Sequence, residues 1–171
     1  MRLRVNFNHL LENIYNMATI VLVSCGSAKK KEPSPARELY TGNLFRASFA
    51  YAQALNADKI FILSALHGAV DPAMEIAPYN VTLSPVSKKI KAKQPGLRVL
   101  TAAEKLAWAV KVTHQLAMIS NIEEDQFIFL AGSAYINPLR GRLVNIYEPL
   151  KGINLFDRVS WIKIKLAEIG S

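Results

Sequence analysis

Apolar positions along the chain fall into two patterns. In Ala18–Ser24, Lys59–Ser64 and Gln126–Ala131 they are nearly continuous, rich in β-branched and aromatic residues, and each run ends at small or turn-forming residues. Runs this short and this apolar predict strands buried on both faces. Elsewhere the apolar residues recur at helical spacing. Leu44, Ala47, Tyr51 and Leu55 mark a helix over Asn43–Leu55, with Asn43 as its expected N-cap. Thr101-Ala-Ala-Glu104 is a capping box, and the helix it opens is expected to reach Met118 on a face of Leu106, Val110, Thr113 and Ala117. A last helix is predicted over Asn154–Ile169, with Leu155, Val159, Ile162, Leu166 and Ile169 on one face.

Between these elements lie less regular stretches. Ala65–Pro85 holds three prolines and one glycine and reads as a long ordered loop. Ser87–Lys93 has four lysines in seven residues, either a solvated helical turn or a contact for a polyanion. Gly132–Arg142 reads as a turn and short helix broken near Pro138, and Leu143–Tyr147 as a fourth strand. Apolar strands alternating with helices predict an α/β fold. The expected form is a Rossmann-like three-layer sandwich with a mostly parallel sheet of about four or five strands. Residues 18–171 are expected to form one domain. Residues 1–17 are read as an N-terminal extension, with Met17 as an alternative start.

In parallel sheets the ligand crevice lies beyond the carboxyl ends of the strands. Here those ends read SCGSAKKK, SALHG, AGSAY and YEPLKG. Ser24, Cys25 and Gly26, with Lys29 and Lys30 close behind, offer hydroxyl, backbone N–H and positive charge, a combination suited to phosphate or carboxylate. The spacing is not that of a P-loop. Cys25 is either a nucleophile activated by the lysines or a small buried turn residue. His67, at a strand end beside Gly68, is either a general base or ligand donor, or a loop histidine satisfied by backbone. Asp71 either does acid–base work with Glu75 or starts a turn before Pro72. Tyr79 either stacks on a base or packs its loop. Arg46, near the start of the first helix, and Ser133, Tyr135 and Arg140, in the third strand-to-helix turn, complete the candidate binding set. Glu148 is a further candidate acid or base.

Composition sharpens the partner. The net charge is +8 and the pI about 9.7, which favours an acidic partner, while 51% hydrophobic residues exclude a disordered chain. No apolar run approaches the roughly 20 residues that span a bilayer, so no membrane association is expected. One cysteine and three scattered histidines give no intrachain disulfide, no metal site and no cofactor, and the chain is read as cytoplasmic.

The order of these pieces resembles an uncharacterised bacterial and phage family. The likeness rests on VLVSCG with following lysines (Val21–Lys31), LYTG-x-LF (Leu39–Phe45) and LSA-x-HG with DP (Leu63–Pro72), then Pro78-Tyr79. A more distant similarity, in Leu39–Gly42, Leu63–Gly68 and Leu130–Tyr135, is to the YaaA peroxide-stress proteins, which bind DNA. A weaker one, in Leu130–Ala134 and Glu148–Leu150 with Phe156, is to uracil-DNA glycosylases, whose HPSPL histidine and GQDPYH motif this chain lacks. Residues and resemblance together lead to the expectation of a nucleic-acid- or nucleotide-related protein. It would bind a nucleobase and phosphate at the strand ends and act on an N-glycosidic bond or nucleobase if it is an enzyme, with His67, Asp71, Glu148 or Cys25 as the reacting group. The alternatives are a non-catalytic YaaA-like DNA-binding module and an enzyme on a small anionic metabolite.

Overall fold

The computed structural model describes residues 16–171, so all but the last two residues of the expected extension lie outside it. In chain order its elements are β1 (Thr19–Ser24), β2 (Ser34–Pro35), α1 (Ala36–Leu39), α2 (Asn43–Ala54), β3 (Lys59–Ser64), β4 (Gly68–Val70), β5 (Glu75–Ile76), β6 (Val81–Thr82), α3 (Lys88–Lys93), β7 (Arg98–Val99), α4 (Ala102–Ala117), β8 (Gln126–Leu130), α5 (Ser133–Ile136), β9 (Asn145–Tyr147) and α6 (Arg158–Ile169). The three apolar runs lie side by side in a five-stranded sheet of order β4-β3-β1-β8-β9. β3, β1, β8 and β9 run parallel, and β4 turns back antiparallel on β3.

The runs read as continuous because both faces of the sheet are covered. Ile20, Leu22, Phe127 and Phe129 pack with Trp108, Ala109, Val112 and Leu116 of α4. The alternate residues Val21, Val23, Ile128 and Leu130 pack with Tyr51 and Ala52 of α2 and Ile162 of α6. The molecule is therefore a mixed α/β protein with a mostly parallel sheet. From β1 the chain crosses to one side for β3 and later returns to the other side for β8. The connections diverge between β1 and β8, which is where an open α/β sheet leaves a crevice.

Several expected details differ. The core face of α4 is Trp108, Ala109, Val112 and Leu116, leaving Leu106 and Val110 59% and 51% exposed. Both stripes have helical spacing; the Trp108 stripe lies on the sheet, where its indole donates to the Ser64 carbonyl at 2.8 Å. In α6 Ile162 alone is fully buried, and Leu155 sits in a preceding 3-10 turn, exposed. The N-cap of α2 is Gly42, with Asn43 the first helical residue. The loop over 65–85 contains β4, β5 and β6, and the fourth parallel strand is only Asn145–Tyr147. Among the described residues no helix is long and apolar enough to cross a membrane.

Candidate functional site

Past the end of β1, Cys25 keeps one more rung of the sheet, its N–H donating to the Leu63 carbonyl at 3.0 Å. On the other side of β1, β8 ends at Leu130 and the chain turns at Ala131-Gly132 into α5. A cavity of about 190 Å³ opens between these two ends, with Ser24, Cys25, Ser84 and Arg158 among its polar lining and Leu44, Phe45 and Leu150 among its apolar walls. A second depression of about 300 Å³ shares Cys25, Gly26, Ser84, Tyr135 and Leu155 with it and is walled by Val81, Val86 and Ile90. A third, of about 640 Å³, shares Ser27 and Lys29 with the second and is lined by Lys30, Lys31, Asn80 and Gln94. The three form one trough over the carboxyl edge of the sheet, apolar at the Arg158 end and polar at the Lys31 end.

Among the described residues no aspartate or glutamate lines any of the three depressions. Lys29 is half-buried, with Nζ 4.5 Å from the centre of the Tyr79 ring and 5.6 Å from that of Tyr40. Its ammonium donates to the Ser27 carbonyl at 3.4 Å. Burial pulls its pKa below the usual lysine value, and the sulfur of Cys25 acts against that shift. Arg158 donates to the carbonyls of Ile153 at 3.2 Å and Ala131 at 3.5 Å. Among the described residues neither cation has a carboxylate within ion-pair distance.

A hydrogen-bonded chain underlies the trough. Ser64, fully buried, accepts from the N–H groups of Leu66 at 3.3 Å and His67 at 3.0 Å and donates to the Tyr79 hydroxyl at 2.7 Å. The Tyr79 and Tyr40 hydroxyls are 2.7 Å apart. Tyr135 sits with its hydroxyl 3.3 Å from the Cys25 sulfur and its ring edge-on to Trp108. Burial first, and electrostatic interaction with Cys25 second, push the pKa values of all three tyrosines up, so they stay neutral phenols at ordinary pH.

Of the residues singled out in the sequence, Ser24, Cys25, Gly26, Lys29, Lys30, Tyr79 and Tyr135 line the trough. Lys30 also reaches Glu38 at 3.3 Å. Ser133, Arg140 and Glu148 line an adjoining depression that shares Ala131, Leu150 and Arg158 with the first cavity. There Arg140 holds Glu148 through two bonds of 2.8 Å, which keeps its carboxyl below the usual range. Arg46 lines a separate groove with Val159 and Lys163 of α6. Asp71 accepts from the Ala73 N–H at 2.8 Å, the turn-forming use of an aspartate before proline, and lies outside the trough. His67 also lies outside it, edge-on to Tyr79 with ring centres 5.6 Å apart; burial, then the charge of Lys111, lowers its pKa.

Sequence reading missed Ser84 and Arg158. For Arg158 a signal existed: it opens α6 and so sits where the helix dipole least favours a cation. Ser84 carries no signal, and its place in the trough comes from the path of the loop between β6 and α3.

Fold and trough together define a mixed α/β protein with a cleft at the carboxyl ends of its parallel strands that no carboxylate of the described residues lines. The chain belongs to a family of unknown function, DUF6884, whose model matches residues 20–164 and so takes in every element from β1 to the cleft-facing start of α6. A search of curated proteins finds no match.

Proposed function

We propose that the trough binds a nucleobase-containing anion, with the phosphate drawn by Lys29 and Arg158 and the base held against Tyr79 or Tyr135. The observation that carries this reading is the pair of cations in a cleft where no carboxylate of the described residues neutralises them. Leaving two charges partly desolvated costs free energy that an anionic ligand would offset. Leu44, Phe45, Leu130 and Leu155 give the cavity the apolar walls a base needs, and Ser24, Ser84 and the Tyr135 hydroxyl give polar groups for its edges. Helices on both sides of the sheet support reading the architecture as a Rossmann-like three-layer sandwich, in which ligands sit at this edge.

A thermal-shift series with nucleoside monophosphates at low salt tests this. The expected result is a rise in Tm with at least one nucleotide, and a loss of roughly tenfold in affinity for Lys29→Gln, the scale of one charge-assisted hydrogen bond. No shift with any nucleotide overturns the reading. Chemistry at an N-glycosidic bond or nucleobase is a second reading, favoured by one observation. Of His67, Asp71, Glu148 and Cys25, Cys25 alone lines the trough. Under it, Cys25→Ser abolishes turnover and preserves the thermal shift; unchanged turnover excludes it.

A further inference from the structure

The α3 helix is electrostatically unfavourable as it stands. Four of its six residues are lysines, it has no acidic residue in its first turn, and none of the four has a carboxylate partner among the described residues. Lys88 and Lys91 are three apart and Lys89 and Lys93 four apart, so like charges share each face of the turn. So short a helix has little intrinsic stability to set against that repulsion. Its Ser87 cap accepts from the Ile90 N–H at 3.3 Å, and none of its residues is buried.

The position of this helix matters more than its charge. Ile90 lines the second depression of the trough, and Gln94, the residue that ends the helix, lines the third. The third depression is the largest and most polar of the three, and Lys29, Lys30 and Lys31 also line it. A single nucleotide in the apolar cavity beside Arg158 would reach this basic depression no further than Lys29. A strand leaving the cavity past Lys29 would run into it, with Lys29–Lys31 in its lining and the end of α3 at Gln94 beside it.

We infer that the ligand is a single-stranded nucleic acid, one nucleotide of which enters the cavity between β1 and β8 while its neighbours lie between Lys29–Lys31 and α3. The inference rests on the nucleotide reading above and goes further in naming a polymer. The strand is single because the cavity is recessed among Ser24, Cys25 and Leu130, and a base must be unpaired to enter it. The lysines contact phosphates, which position the strand and make binding depend on salt.

The test is fluorescence anisotropy with deoxy and ribo strands of increasing length, the matching duplex and a mononucleotide competitor, each over a range of salt. A variant with Lys88, Lys89, Lys91 and Lys93 all changed to Gln is measured beside the wild type; all four side chains are exposed, and its melting curve checks the fold. Affinity is expected to rise with strand length and fall steeply with salt. The variant is expected to lose at least tenfold in strand affinity, with a flatter salt slope, and to keep its mononucleotide shift. Whichever sugar series binds more tightly identifies the polymer. A strand that binds no better than the mononucleotide overturns the inference and leaves the nucleotide reading standing, as does a variant that binds strands like wild type. Tighter binding of duplex than of strand also overturns it. No binding of strand or mononucleotide removes both readings.

Discussion

Gly68 shows how closely single residues behind the trough are fixed. It lies at φ +78°, and a Cβ there would fall 2.3 Å from Oε1 of Gln115. That side chain is not free to move aside: Oε1 accepts from the Ala69 N–H at 2.8 Å and Nε2 donates to the His67 carbonyl at 3.1 Å. Gly68→Ala is therefore expected to destabilise by about 2–3 kcal/mol in urea unfolding, the left-handed backbone penalty plus disrupted hydrogen bonds. Gly141 has φ +76° and open space within 4 Å of where a Cβ would stand, so Gly141→Ala should cost only about 1 kcal/mol. His67 gives a pH prediction. Its folded pKa lies below the ordinary 6.5, so below that pH the unfolded chain takes up the proton first and stability falls. His67→Gln should flatten the decline in unfolding free energy as pH falls through and below 6.5. At this scale the sequence was informative where a small-residue turn followed an apolar run, as at Ser24–Gly26. It was ambiguous where one residue type serves two uses, as at Asp71. It was silent where a long-range connection delivers the residue, as at Ser84.

Among the elements, α4 has two stripes at helical spacing, and the difference between them is measurable. Leu106→Glu changes an exposed position and should shift stability by no more than about 0.5 kcal/mol. Leu116→Ala empties a fully buried position and should cost about 2–5 kcal/mol. The reverse ranking in urea unfolding would mean the helix lies on its other face. Thr101→Ala removes a cap whose hydroxyl accepts from the Glu104 N–H, and about 1 kcal/mol with it. Long elements with a period or a cap were legible: the three central strands and α4 lie within a residue or two of expectation. The stripe of α4 was not legible, since spacing cannot say which of two apolar faces meets a sheet. Nor were β2, β5, β6 and β7, each two residues long. Two residues have no period, and their partners are far off in the chain, as Ser34 with Ile76 and Val81 with Arg98.

For the molecule as a whole, strand order decides where the trough lies, and order is hidden from a sequence in which β1, β3 and β8 share one apolar pattern. What could be read was the excess of positive charge; its gathering at Lys29–Lys31 and Arg158 along the cleft emerges only when the chain is folded. The same folding places one of the two tryptophans beside the cleft. Trp108 is buried, edge-on to Tyr135 at 5.8 Å between ring centres, and Tyr135 touches Cys25 at the trough floor. Trp161 packs against Tyr51 in the core on the other face of the sheet. The protein thus contains an intrinsic fluorophore one ring away from its cleft. In a Trp161→Phe variant all indole emission comes from Trp108, and its intensity or wavelength should change saturably as the trough fills, giving an optical titration without a label. Emission unmoved by a ligand that raises Tm would place that ligand away from Tyr135.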